Sequence, residues 1–287
     1  MSPLTSFLCS LCYGIPSVLL YLVTICVIIK HRGSLSSSFF QLYVFDGFVN
    51  LFTYLVGFFT MRLSSITCST CLLAPFFRNV GSVVSLQFVA AMGFHMAFVQ
   101  YAMTTLISLN RLSVLLTHGA IEPVWRKWTW SLIVLIYASP FWSTRVFFDH
   151  PAEVIYRNDS HSYSLVYWET PILDIYAVLI PFMILTILVS LTSNTVSLVF
   201  IRSVTRQRNR AEFNFLTMTC LTCAVQLLGT VVSVALVVAT GGSELFELLA
   251  AMLPIVSDAL SLVQPWLLVA FSHTRIAHRT GFEFQTA

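Results

Sequence analysis

Residues 80–111 read VGSVVSLQFVAAMGFHMAFVQYAMTTLISLNR, about 32 residues with no formal charge before the last. As an α-helix this run would be roughly 45 Å long at ~1.5 Å per residue. That exceeds the ~30 Å hydrocarbon core of a bilayer, so the helix must tilt or protrude. It also carries Gln87, His95 and Gln100, whose polar atoms need protein neighbours rather than lipid. The stretch predicts the central helix of a membrane bundle, with Asn110 and Arg111 at one water boundary.

Six further apolar runs surround it in the sequence. With 57% hydrophobic and only 9% charged residues, against roughly 25% charged in soluble domains, the chain belongs to the membrane class. No interval is long enough for a separate soluble domain. The predicted fold is all-α: a single seven-transmembrane helix bundle over residues 1–287, with spans at about 7–29, 39–60, 80–109, 128–147, 171–201, 213–238 and 245–271. The first run is too long for a signal-peptide core and reads as an uncleaved anchor. Pro16 and Pro181 fall in the outer halves of the first and fifth spans and predict kinks or freed carbonyls there.

Charge sets the expected orientation. Lys30, Arg32, Arg111, Arg126, Lys127, Arg202, Arg206, Arg208, Arg210, Arg275 and Arg279 fall on one face, and only Arg62, Arg78, Arg145 and Arg157 on the other. The positive-inside rule then puts the amino terminus outside and the carboxy-terminal tail in the cytoplasm. Arg62 is expected in the first outer loop. The polar interval DHPAEVIYRNDSHSYSLVYWET would lie outside, where Asn158-Asp159-Ser160 offers a glycosylation site at Asn158. Cys9, Cys12, Cys68 and Cys71 fall near the same, oxidising face and are candidates for one or two disulfides. Their C-x-x-C spacings resemble zinc ligands, but no histidine is near, so neither a metal nor a cofactor is expected.

Depth along each helix groups the remaining polar residues. His95, Gln226 and Asp258 each lie roughly 20 Å from the cytoplasmic ends of their spans, predicting one polar layer across spans three, six and seven. Together with Asp174, near the outer start of span five, they form the candidate ligand-binding set. Asp46, Asn50, Ser261 and Gln264 lie nearer the cytoplasm and form a candidate intramembrane network; Asp46 and Asn50 share a helix face at i, i+4. Ionisable groups at this depth are costly and are expected to be paired or to line a wet cavity. Both layers admit a second reading, as structural hydrogen bonds between helices.

The stretches SSSFFQLYVFDGFVNLFTY, CLLAPFF, HMAFVQYAMTTLISLNRLSV and QPWLLVAFS resemble the nematode serpentine receptor class gamma, with similarity over residues 36–272. That resemblance implies a seven-helix G-protein-coupled chemosensory receptor in sensory cells and names no ligand; the expected partners are a small-molecule or peptide ligand and a heterotrimeric G protein, and the expected place is the plasma or ciliary membrane. On this reading Asn110, Arg111, Arg206, Arg208 and Arg210 form the G-protein-facing surface; the basic loop equally suits lipid headgroups. The chain departs from rhodopsin-like receptors in having no proline in span six and no cysteine in the second outer loop. The four outer cysteines would instead staple the amino terminus to the first outer loop. A small transporter or ligand-gated channel is the alternative. No enzymatic activity is expected, because H-E-x-x-H and G-x-S-x-G are absent, and no nucleic-acid partner is expected.

Overall fold

The computed structural model describes residues 3–283 except 34, 36, 159–160, 168–171, 205–209 and 240–243. Among the described residues, seven helices are long and apolar enough to cross a membrane: Phe7–Lys30, Ser38–Ile66, Leu86–Leu116, Glu122–Phe148, Ile172–Ser203, Asn214–Val238 and Glu244–Ala270. These are spans one to seven below. The third has the lowest mean hydropathy of its window, 1.2, and the largest buried share, 61%. It packs against the second, fourth, fifth and sixth spans and is the central helix that its polar residues required.

Its ends differ from the expected ones. Val80–Val83 forms a separate short helix, and the chain is extended at Val84 before Ser85 caps the long helix by accepting a hydrogen bond from the Phe88 amide at 3.3 Å. A serine cap defines a helix start that hydropathy alone cannot see. At the other end the helix runs past Arg111 to Leu116. It stops where His118 takes φ 52° and Gly119 φ 88°. The Gly119 amide donates to the Val114 carbonyl at 2.9 Å and the His118 amide to that of Leu115 at 3.3 Å, the paired bonds of a Schellman stop.

The second span continues beyond residue 60 through a π-helical stretch, Phe58–Leu63, to Ile66. Arg62 is therefore inside the bundle, 6% exposed, and not in an outer loop. The fourth span starts at Glu122 and changes direction near Pro140 into Phe141–Thr144 and a 3₁₀ turn at Arg145–Phe148. The Glu122 carboxylate accepts hydrogen bonds from the Ser38 amide at 2.5 Å and the Ser38 hydroxyl at 2.9 Å, satisfying orphan donors at the start of span two.

The polar interval after the fourth span forms an antiparallel hairpin, β1 (Ala152–Arg157) and β2 (Ser162–Tyr167), with Ala152 opposite Tyr167 and Arg157 opposite Ser162. Tyr163 stacks on Phe77 at 5.6 Å between centroids, within a cluster that includes Phe59, Val154 and Tyr156. The hairpin thus covers one end of the bundle, called the hairpin side here. The opposite end, with Arg111 and the carboxy-terminal end of the seventh span, is the tail side.

Candidate functional site

A cavity of about 160 Å³ opens among spans two, three, five, six and seven. Gly93, Phe94, Ala97, Gln100 and Tyr101 supply its central wall; Met61, Tyr176, Met183, Gly229 and Leu260 are among the residues that complete it. The third span contributes the most lining residues because it packs against spans two, five and six, three of the four other spans that enclose the cavity. No lining residue carries a formal charge.

Gln100 and Tyr101 connect this wall to the polar interior. The Gln100 amide donates to Asn50 Oδ1 at 2.7 Å and to Ser261 Oγ at 3.1 Å. Asn50 Nδ2 donates to Asp46 Oδ2 at 3.0 Å and to Tyr21 Oη at 3.0 Å, and the Tyr21 hydroxyl donates to Gln264 Oε1 at 3.0 Å. Every amide hydrogen of Gln100 and Asn50 has an acceptor. Asp46, Asn50, Ser261 and Gln264 therefore occur in one network, joined by Tyr21 from the first span and Gln100 from the third. Neighbouring Tyr101 donates to the Gln226 carbonyl at 2.8 Å, and Gln226 Nε2 donates to the Gln100 carbonyl at 3.3 Å, tying span six to span three.

The expected ligand-binding layer is divided among separate places. His95 is fully buried, its Nδ1 3.4 Å from Thr144 Oγ1 and its ring 4.2 Å from that of Phe141. It faces the fourth span, because two residues beyond cavity-lining Gly93 correspond to about 200° of helix rotation. Gln226 lies below the cavity wall. Asp174 is exposed in the first turn of the fifth span. Asp258 pairs with Arg62 and accepts a hydrogen bond from the Tyr13 hydroxyl; Arg62 Nη2 also lies 3.1 Å from Tyr13 Oη. Depth gives the height of a residue in the bundle but not its azimuth, and azimuth separates these four.

At the tail side, Asn110 is buried and donates to Ser38 Oγ at 2.8 Å. The Arg111 guanidinium lies 3.5 Å from the Phe39 ring centroid and 4.4 Å from that of Phe215, a cation–π arrangement. Arg111 also borders a second cavity of about 150 Å³ with Val114, His118, Ser197, Ile201 and Leu216, between the ends of spans three, five and six. Arg206 and Arg208 lie outside the described residues, as does the side chain of Arg210. Asn158 is exposed at the hairpin turn. Cys68 and Cys71 are bonded to each other, while Cys9 and Cys12 are free and exposed on span one. The expected staple from the amino terminus to the first loop is replaced by a bridge within that loop.

Tyr13, Tyr21 and Arg62 were not legible as members of these clusters. Tyrosine in an apolar run reads as packing or interface aromatic, and Arg62 reads as the end of a span. Asp46 and Asp258, acids well inside their spans rather than at the ends, were the available signal, since each requires partners.

These features define a multi-pass membrane protein, a seven-helix bundle with a cavity inside it and a cleft at the opposite end. The chain belongs to the Srg family of chemoreceptors, whose model matches residues 7–275. It is 24% identical over 270 residues to serpentine receptor class gamma-31 of Caenorhabditis elegans, a match covering 91% of this chain and 86% of that protein. It is a serpentine chemosensory receptor, a member of a receptor family rather than an enzyme family.

Proposed function

We propose that the receptor binds a small-molecule ligand in the cavity at the hairpin side and passes the change to a heterotrimeric G protein at the tail side. The amino terminus and the hairpin face the exterior, in keeping with the basic residues concentrated at the other end. The observation that carries this reading is the position of Gln100, which lines the cavity and also bonds Asn50, Ser261 and the Gln226 amide. A ligand touching Gln100 acts on contacts shared by spans two, three, six and seven.

The ligand shifts the receptor only by its differential affinity for two arrangements of these helices. Moving the population from 1:99 to 99:1 takes about 5.5 kcal/mol of such preference. Arg111 and the cleft beside it are the partner surface favoured here, since opening of spans five and six would change that cleft first. The basic residues Arg206, Arg208 and Arg210 extend this surface in the sequence.

The test is signalling to a ligand panel in cells expressing a promiscuous G protein, with wild type and Arg111→Ala compared at equal surface expression. Wild type is expected to respond and Arg111→Ala to lose the response. A ligand-dependent current or flux that persists in cells lacking G proteins would replace this reading with a channel or transporter.

A further inference from the structure

We propose that the cavity selects an uncharged molecule about the size of a single aromatic ring bearing one hydrogen-bond donor, and that Gly93 sets the upper limit on its size. This rests on the cavity being the ligand site. A 160 Å³ space is close to that of engineered apolar cavities of about 150 Å³ that hold one benzene.

The wall chemistry narrows the class. Hydroxyls and one amide supply its polarity, and the hydrogens of four of these groups are already committed. Thr53 and Thr60 each have a backbone carbonyl as acceptor at 2.8 Å, Gln100 donates to Asn50 and Ser261, and Tyr101 donates to the Gln226 carbonyl. What these four groups retain is acceptor capacity, which matches a ligand hydroxyl; the remaining hydroxyls, of Tyr176, Ser233 and Ser257, are neutral, so no cation in the lining compensates a carboxylate. The nearest charges, Arg62 and Asp258, follow lining residues Met61 and Ser257 in the chain and neutralise each other. To gain Arg62 as its cation, an anionic ligand would have to break that buried pair and leave Asp258 uncompensated.

Gly93 is the residue with room. A Cβ built there meets nothing within 4 Å, and its φ lies in the ordinary range. Neither backbone geometry nor close packing requires glycine, and glycine in a helix interior weakens the helix. Its effect is to leave space on the central wall. Gly229 on the facing wall differs, because a Cβ there would lie 2.9 Å from Tyr101 Oη.

The test uses purified full-length receptor in nanodiscs, with benzyl alcohol, 2-naphthalenemethanol and benzoate as probes. Binding is read by ligand-observed NMR and by thermal shift, in wild type, Gly93→Ala and Gly93→Leu. Benzyl alcohol is expected to bind wild type on the order of tenfold more tightly than benzoate and than its two-ring analogue. Gly93→Leu should weaken benzyl alcohol on the order of tenfold, with an unchanged or raised thermal midpoint without ligand. Gly93→Ala, which adds one carbon to open space, should weaken it less and keeps the test available should the leucine variant not fold. Benzoate binding as well as benzyl alcohol overturns the uncharged class. Benzyl alcohol binding unaffected by either substitution overturns the role of Gly93. Failure of all three probes to bind wild type at millimolar concentration overturns the cavity as the ligand site and, with it, the reading on which this inference rests.

Discussion

Arg62 and Asp258, 196 residues apart in the chain, form a buried ion pair that joins the second span to the seventh, with side chains 6% and 9% exposed. Tyr13 of the first span donates to the same Asp258 oxygen, so three helices meet at one carboxylate. The π-helical stretch Phe58–Leu63 carries both Arg62 and the cavity-lining Thr60 and Met61. Cavity wall and ion pair therefore share a single turn of backbone.

Removing one partner of this pair leaves a buried charge without compensation. Asp258→Ala or Arg62→Ala alone should destabilise the bundle by about 3–5 kcal/mol. Replacing both by leucine should cost much less than the two single changes combined. Thermal unfolding of the purified receptor in a double-mutant cycle checks this. Additive losses would mean that the two side chains do not act as a pair.

Glycines in the bundle separate into tight and open positions. A Cβ at Gly47 would lie 2.9 Å from both Tyr21 Cε1 and Ile25 Cδ1, so Gly47→Ala should destabilise by about 1–3 kcal/mol through overpacking. Gly93→Ala should instead be neutral or stabilise by up to about 1 kcal/mol. Opposite signs in unfolding measurements are expected, and a destabilised Gly93→Ala would contradict the open space beside it.

Gln100 uses both amide hydrogens within the network. Gln100→Leu leaves Asn50 Oδ1 and Ser261 Oγ without those donors, and a loss of about 1–3 kcal/mol is expected. The same variant should lower the maximal response as well as ligand affinity, since Gln100 both lines the cavity and connects its wall to the network. Concentration–response curves at matched expression decide this; an unchanged maximal response would remove Gln100 from the coupling route.

Asn158 sits exposed at the turn between β1 and β2. With the hairpin side outward it is expected to be glycosylated in cells. The receptor should then shift in gel mobility on treatment with an asparagine-specific endoglycosidase, and Asn158→Gln should remove that shift. Surface-expressed receptor without glycan at this position would count against the proposed orientation.

The seven spans were legible because apolar runs longer than a bilayer leave the backbone few choices: it must satisfy its own hydrogen bonds, and helices do so within a single segment. The central place of the third span followed from Gln100 and His95, which cannot face lipid. Asp46 and Asn50 could be grouped from the sequence because i, i+4 neighbours share a face whatever surrounds them. The hairpin carried a weak signal in the apolar runs VIY and SLVY on either side of NDSH, but strand pairing depends on what the strands cover, here Phe77 and Phe59.

Length and the placing of polar residues within each run, which are local properties, thus determined the number of spans and which helix lies at the centre. The partners of the polar groups were decided elsewhere, by the rotation of each helix about its axis. His95 turned to Thr144 and the fourth span, Asp258 to Arg62 and Tyr13, and Gln100 to the place where the cavity meets the network. Rotation is set by packing against neighbours distant in sequence, and by irregular backbone such as the π-helical stretch that holds Arg62 within the bundle. No single span contains that information.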